Sequence, residues 1–207
     1  MSNHRHSNGG GLVADTAHVD ESAYVGSDAL VYGNASVYGN AQVSGNARVY
    51  GNALVYCDAR VSGNALVYGD AEVSGNALVY GDAQVSGNTL VYGNTLVCDS
   101  ALVYGDARVY GSALVYGDAR VSGNAQVCGG KLTFRAVVIN GGMWTCGVCA
   151  PGRIFIGCEN KTVAGWESIS KEDAVDMLSG CVEQYNWYRS VFPILKNEAL
   201  KWEESDV

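Results

Sequence analysis

The chain is dominated by a six-residue alternation of apolar and polar positions. Valine recurs at every sixth position from Val13 to Val127, twenty times without interruption. A small residue stands two positions before each valine from Val19 onward; it is alanine except at Thr89 and Thr95. Successive side chains of a strand point to opposite faces, so each alanine–valine pair points one way and the intervening residues the other. The pattern predicts a short half-buried strand in every hexad.

A turn pair, usually Gly-Asn or Gly-Asp, separates one hexad from the next, as at Gly33-Asn34 and Gly81-Asp82. Glycine, asparagine and aspartate tolerate left-handed backbone angles, which suits a tight corner. Three strands and three corners, 18 residues in all, close one triangular coil. Stacked coils pair each strand in parallel with the strands above and below it. The sequence therefore predicts a mainly β protein with a narrow core of valine and alanine.

The unit Ala-x-Val-x-Gly-Asn resembles the hexapeptide-repeat (LpxA-like) family of left-handed parallel β-helices. The resemblance covers residues 13–130 and implies a left-handed triangular prism of about six or seven coils. The best-known members are trimeric acyltransferases with a catalytic histidine, and γ-class carbonic anhydrases with several histidine ligands for zinc. The repeats of this chain contain only His18 and no inserted loop. We therefore expect no catalytic residue, no cofactor and no enzyme activity, with an atypical or vestigial acyltransferase as the alternative.

The segments that flank the repeat have different patterns. Residues 1–12 are polar and glycine-rich, which predicts a disordered tail. From Lys131 the period stops, and apolar runs around a turn at residues 140–142 predict a small β-meander. Ser170 and Asp173 form a capping-box-like start to a helix, which we expect Pro193 to kink or restart. Residues 131–207 are thus predicted to be a small α+β domain that caps the open end of the β-helix.

The residues on either side of each valine point outward, and sorting them by the 18-residue coil places them on three faces. The first face stacks Leu30/Tyr32, Arg48/Tyr50, Leu66/Tyr68, Gln84/Ser86, Leu102/Tyr104 and Arg120/Ser122. The second face stacks Ser36/Tyr38, Leu54/Tyr56, Glu72/Ser74, Leu90/Tyr92, Arg108/Tyr110 and Gln126/Cys128. The third face begins with Gln42/Ser44 and Arg60/Ser62 and continues with Leu78/Tyr80, Leu96/Cys98 and Leu114/Tyr116.

The last six residues of the third face form a contiguous apolar patch, which soluble monomers seldom expose. We interpret this apolar patch as the interface of a homo-oligomer, and the family resemblance favours a trimer. The residues predicted to form the interface are Leu78, Tyr80, Leu96, Cys98, Leu114 and Tyr116.

Two further groups are candidates for ligand binding. Arginines beside tyrosines offer bidentate contacts to a phosphorylated ligand, although surface arginines that only break up an apolar face are the more common explanation. The residues of this group are Arg48, Tyr50, Arg60, Arg108, Tyr110 and Arg120. Four cysteines are weak candidates for a zinc site, against the simpler interpretation of buried core thiols. They are Cys146, Cys149, Cys158 and Cys181.

Charge and composition exclude several classes of protein. Lys and Arg number 13 against 21 Asp and Glu, a net charge of −8, which argues against general nucleic-acid binding. No apolar run approaches the length of a membrane-spanning helix, and we expect neither a signal peptide nor membrane association. The seven cysteines do not suggest a disulfide framework and favour the reducing cytoplasm.

Over the whole chain beyond residue 12, the repeat followed by Ile156-Gly157-Cys158, Thr162 and Trp166 resembles hexapeptide proteins encoded by phages and prophages. The resemblance implies a non-enzymatic accessory protein in the cytoplasm of an infected bacterial host, where it binds a host or phage partner. Counter-defence is one such role, either by inhibition of an immune protein or by sequestration of its nucleotide signal. A virion or structural component is a further alternative.

Overall fold

The valines and alanines of the hexads form the core of a parallel β-solenoid of about six turns. Almost all of them are completely buried, from Val13 to Val127. Most hexads donate three backbone hydrogen bonds to the next coil, for example from the amides of Leu30, Tyr32 and Asn34. The fold class expected from the six-residue period is therefore confirmed, because the buried strands and the corners take part in one continuous ladder of hydrogen bonds between coils.

The computed structural model describes residues 2–127, 131–132, 138–141, 144–150, 152–156, 159–173, 189–197 and 199–200. The chain divides into two compact units, Met1–Arg135 and Ala136–Val207. This boundary lies beyond the predicted one at residue 130, because Lys131–Leu132 still pairs in parallel with Leu114–Val115.

The strands stack into the three sheets that the 18-residue sorting predicts. The first face consists of Leu12–Ala14, Leu30–Val31, Arg48–Val49, Leu66–Val67, Gln84–Val85, Leu102–Val103 and Arg120–Val121, with Asn3–Arg5 added at its edge. The second face consists of His18–Val19, Ser36–Val37, Leu54–Val55, Glu72–Val73, Leu90–Val91, Arg108–Val109 and Gln126–Val127. The third face consists of Tyr24–Val25, Gln42–Val43, Arg60–Val61, Leu78–Val79, Leu96–Val97, Leu114–Val115 and Lys131–Leu132.

The corners bring backbone against backbone. Gly33 has a φ of 70°, and a Cβ atom added there would lie 2.9 Å from the amide nitrogen of Gly51 in the next coil. Two non-glycine residues occupy equivalent corners with positive φ, Cys57 at 61° and Asp99 at 58°. The Asp99 carboxylate accepts a hydrogen bond from the Gly117 amide, 3.1 Å away, which offsets part of the conformational cost. Cys57 forms no such side-chain hydrogen bond with the residues that the structure describes, so the strain of its positive φ is not offset in this way.

The core has two polar exceptions. Thr89 and Thr95 replace alanine in consecutive hexads, and both are buried. Among the described residues, their hydroxyl oxygens are buried without a hydrogen-bond partner. An unpartnered buried hydroxyl costs about 1–3 kcal/mol, so these two hexads are locally less stable than their alanine neighbours.

The amino-terminal segment is ordered, whereas its composition predicts a disordered tail. Asn3–Arg5 pairs antiparallel with Leu12–Ala14 and covers the edge of the first face. Asn8 and Gly11 cover the edge of the third face: the Val25 amide donates to the Asn8 carbonyl at 3.0 Å, and the Gly11 amide donates to the Val25 carbonyl at 2.9 Å. Unpaired strand edges provide the reason, because their backbone groups need partners. We call residues 2–12 the amino-terminal cap.

The second unit contains an antiparallel four-stranded meander, in agreement with the predicted class. Its strands are Val138–Gly141, Trp144–Ala150, Arg153–Ile156 and Glu159–Thr162. A short helix, Val163–Glu167, follows, and its N-cap residue Thr162 accepts a hydrogen bond from the Gly165 amide. The Trp166 indole is buried, and its Nε1 donates to the Ile154 carbonyl at 2.7 Å.

Further helical residues of the second unit are 171–173, 189–197 and 199–200. The predicted capping-box-like start is present: the Ser170 hydroxyl oxygen accepts from the Asp173 amide at 3.0 Å, and the hydroxyl donates to Asp173 Oδ2 at 2.8 Å. Residues 189–197 are helical through Pro193, so within this stretch the helix does not restart at the proline, and the expected kink stays a prediction. The capping role predicted for residues 131–207 stays a prediction.

Candidate functional site

The apolar patch of the third face is continuous in the structure. Leu78, Leu96 and Leu114 are direct neighbours in three consecutive parallel strands. All three side chains are half-buried, and Tyr80 is 38% exposed. The patch therefore presents leucine and tyrosine surface with no charged side chain among its members. The arrangement suits the burial of apolar area against another surface.

Cys98, which the sequence places within this patch, differs from its neighbours because only 4% of it is exposed. Burial raises the pKa of the Cys98 thiol, and a hydrogen bond with Tyr80 acts in the opposite direction. The same hydrogen bond is the main cause that raises the pKa of the Tyr80 hydroxyl. The place of Cys98 in the predicted interface stays a prediction, but Cys98 itself is a buried, protonated thiol. The reason is that a cysteine side chain is shorter than the tyrosines stacked on either side of it.

A polar region borders the patch on the same sheet. Arg60 pairs in register with Leu78 on one side and with Gln42 on the other. Arg60 and Gln42 are exposed, and Ser44 and Ser62 lie half-buried beside them. The apolar patch is thus limited to one part of the third face, as the sequence predicts.

Tyrosine columns run along the first and second faces. Tyr32, Tyr50 and Tyr68 stack with ring centroids 4.8 and 4.9 Å apart. On the second face, Tyr38 and Tyr56 stack at 5.0 Å, as do Tyr92 and Tyr110 at 5.4 Å. Burial is the main cause that raises the pKa of Tyr50, followed by its two ring neighbours, while Arg48 lowers it. The columns stabilise the stacked strands through pairs of parallel rings.

A groove interrupts the column of the first face. It has a volume of about 240 Å³ and is lined by Tyr68, Gln84, Ser86, Leu102, Val103 and Tyr104. Sequence reasoning did not select these residues as a site. The available signal was the substitution of serine for tyrosine in a column that otherwise repeats every 18 residues.

The structure does not bring the four candidate arginines together. Arg48 and Arg120 lie on the first face with three strands between them, whereas Arg60 and Arg108 lie on the third and second faces. All four side chains are exposed, and none forms an ion pair within the described residues. Each arginine, with Tyr50 or Tyr110 beside it where present, stays a separate candidate and does not form a shared phosphate site.

Two histidines near the amino-terminal end of the first unit, His4 and His18, face carboxylates. His4 Nδ1 is 3.4 Å from Asp15 Oδ1, and His18 Nε2 is 3.3 Å from Asp20 Oδ1. Within the described residues, no group of three or more potential metal ligands comes together. The side chains of the four cysteine candidates for zinc fall outside the described residues, namely Cys146, Cys149, Cys158 and Cys181.

The uninterrupted hexads, the three parallel sheets and the buried core define a β-solenoid repeat protein. Comparison with protein families agrees: the sequence matches the family model of the YdcK β-solenoid repeat. The matched residues are 41–56, 59–72, 71–87, 83–99, 101–117 and 115–129. No curated protein matches the chain. Among the described residues, none belongs to a helix long and apolar enough to cross a bilayer.

Proposed function

We propose that this protein is a non-enzymatic scaffold that assembles with copies of itself through the apolar patch of the third face. The observation that supports the proposal is the uninterrupted run Leu78, Leu96 and Leu114, paired in register on one flat sheet. On the first face Gln84 interrupts the leucines, and on the second face Glu72 does so. Only the third face thus offers three consecutive leucines within the described strands.

Burial of the apolar patch in an oligomer is favoured over its exposure to water. Complete burial of a large apolar side chain contributes about 1.5–3 kcal/mol, and these residues begin half-buried, so each gains less. Several of them must therefore act together to offset the loss of rotational and translational freedom. Closed symmetry lets each copy bury the same patch, and the resemblance to hexapeptide proteins favours a trimer over a dimer.

Leu96→Arg tests this assembly. Arginine occupies the equivalent strand position at Arg48, Arg60, Arg108 and Arg120, so the variant should fold. In an oligomer the new guanidinium groups would be desolvated and close to each other, which costs several kcal/mol. We expect wild-type protein to be an oligomer by light scattering and Leu96→Arg to be a monomer with an unchanged circular dichroism spectrum.

Leu66→Arg is the matched control, because Leu66 occupies the same position of the hexad on the first face and is also half-buried. We expect this variant to keep the wild-type mass. A monomeric wild-type protein, or equal masses for Leu96→Arg and wild type, would contradict the proposed interface.

We further propose, from the resemblance to phage proteins alone, that the assembled scaffold binds a host or phage partner, with counter-defence as one such role. Capture from lysate of infected cells, compared with lysate of uninfected cells, would test this role. The alternative of an atypical acyltransferase predicts binding of acetyl-CoA, which calorimetry measures. The YdcK repeat match itself gives no positive support to an enzyme.

A further inference from the structure

The tyrosine columns are interrupted by a small residue once on each face. The three interruptions are spaced by 12 residues along the chain, so that the gap moves from one face to another. In order along the chain they are Tyr56–Ser74–Tyr92, Tyr68–Ser86–Tyr104 and Tyr80–Cys98–Tyr116.

Two of these interruptions are already engaged by the protein's own groups. On the third face the gap contains the buried Cys98 thiol, which forms a hydrogen bond with Tyr80. On the second face, Tyr56 Oη donates to Glu72 Oε2 at 3.4 Å, beside Ser74. The interruption at Ser86 differs, because the groove of about 240 Å³ lies there.

The dimensions of this groove match one planar ring. Neighbouring coils are about 4.8 Å apart, so Tyr68 and Tyr104 are separated by two coil steps, or about 10 Å. A ring placed midway would lie about 4.8 Å from each tyrosine, within the range of 4.5–7 Å that offset-stacked rings prefer. Such a ring would reproduce the 4.8 and 4.9 Å spacings of the intact part of the same column.

Polar groups in the groove indicate which kind of ring is preferred. Gln84 has an amide donor and a carbonyl acceptor, Ser86 has a hydroxyl, and neither side chain has a hydrogen-bond partner among the described residues. A hydrocarbon ring would leave these groups unsatisfied, whereas a heterocycle with a donor and an acceptor on its edge would satisfy them.

Charge favours a neutral ring over a polyanion. Residues 13–127 contain eleven Asp and Glu against four Arg. Asp70 and Asp106 lie at the corners that follow the two tyrosines of the groove. Arg48 and Arg120 lie on the same face, each separated from Gln84 by one strand, but the carboxylates of the repeat outnumber the arginines. A phosphate group near the groove would therefore meet a net negative field.

We propose that the groove between Tyr68 and Tyr104 is a binding site for a nucleobase-type ring, which stacks between the two tyrosines and forms hydrogen bonds with Gln84 and Ser86. The site lies on a different face from the self-association patch and does not depend on it. Its volume is below that of most drug-sized pockets, about 300–1,000 Å³, so it accommodates one base with the attached sugar outside.

Ser86→Tyr is the decisive variant, because the new ring would occupy the place of the bound one. Tyrosine is the native residue at the equivalent position in both flanking coils, so the variant should fold and melt at the same or a higher temperature. Titration of the full chain with adenosine, followed by NMR of the ligand, should show binding by wild type. We expect Ser86→Tyr to bind adenosine about tenfold or more weakly, since base–aromatic stacking supplies the affinity.

Ser74→Tyr is the matched control, since it completes the equivalent gap on the second face and should leave adenosine binding unchanged. Gln84→Leu should weaken adenosine binding without weakening that of benzyl alcohol, a ring without the complementary edge. Adenosine monophosphate should bind no more tightly than adenosine. Equal adenosine binding by wild type and Ser86→Tyr, the absence of adenosine binding by wild type, or a requirement for the phosphate would overturn the proposal.

Discussion

The amino-terminal cap and the repeat are both rich in glycine, but glycine has a different role in each. In the repeat, glycine occupies a corner that recurs every six residues, and the corner tolerates Cys57 and Asp99 in its place. In the cap, Gly9 and Gly11 lie directly against the strand that contains Val25, where an added Cβ atom would be 2.3–2.4 Å from the Val25 and Gly26 backbone or the Val25 side chain. Each close contact of a cap glycine has no equivalent elsewhere among the described residues, whereas each corner glycine of the repeat has an equivalent in many other hexads.

The comparison shows that two glycine-rich segments can lead to opposite predictions from sequence: an ordered repeat for one and a disordered tail for the other. Periodicity identifies the corner glycines, because each is followed by a strand with the same pattern. The cap has no period, and its polar residues and glycines are those of a flexible tail. The cap is ordered because its backbone forms hydrogen bonds with the exposed strand edges of the first coil. No local sequence pattern in residues 2–12 predicts these bonds.

The largest expected effect breaks the repeat at its core. Val79→Asp places a carboxylate at a completely buried position surrounded by valine and alanine. An uncompensated buried charge costs about 3–5 kcal/mol, and we expect the variant to lose its cooperative thermal transition by circular dichroism. Gln42→Asp adds the same carboxylate to the exposed surface and should change the free energy of unfolding by less than about 0.5 kcal/mol. Equal melting temperatures for Val79→Asp and wild type would contradict the solenoid core.

An intermediate effect is expected in the cap. Gly11→Ala places a methyl group 2.4 Å from Val25 Cγ1 and from the Gly26 carbonyl oxygen, so the cap must shift. Such overpacking costs about 1–3 kcal/mol. We expect the Val25 amide, which donates to the Asn8 carbonyl, to exchange its hydrogen faster with solvent.

Gly10→Ala is the control that distinguishes the effect of a close contact from the effect of a positive φ. Gly10 has a φ of 76°, but nothing lies within 4 Å of its added Cβ atom. The variant should therefore lose only about 1 kcal/mol, the cost of a left-handed alanine. Gly11→Ala should therefore be less stable than Gly10→Ala. Equal stability of the two variants would contradict the close contact between Gly11 and the Val25 strand.

The smallest effect compares two corners of the repeat. Cys57→Gly removes the strain of a positive φ and should stabilise the protein by about 1 kcal/mol in a denaturant titration. Asp99→Gly removes the same kind of strain but also the hydrogen bond from the Gly117 amide, so it should stay within about 0.5 kcal/mol of wild type. A larger gain for Asp99→Gly than for Cys57→Gly would contradict this explanation of the two corners.

Much of the first unit could be predicted from the sequence because the period of the repeat fixes which residues pair in neighbouring strands. An 18-residue coil pairs residue i with residue i + 18, so Leu78, Leu96 and Leu114 had to share one face once the coil closed. The second unit has no period, yet Ser170 and Asp173 could be placed at a helix start because capping is a local interaction. The helix at Val163–Glu167 was missed because it is too short to show a periodic apolar pattern.

The sequence by itself determined the three faces, the valine–alanine core and the position of the apolar patch, since each depends only on a period that is visible in one dimension. The tertiary structure decided what depends on the shape of neighbours. Cys98 is buried because adjacent tyrosines are longer, Ser86 opens a groove while Ser74 lies beside a carboxylate, and residues 2–12 are ordered by the strand edges that they meet. The exposure of a side chain and its hydrogen-bond partners depend on which residues surround it, and these residues need not be close in sequence.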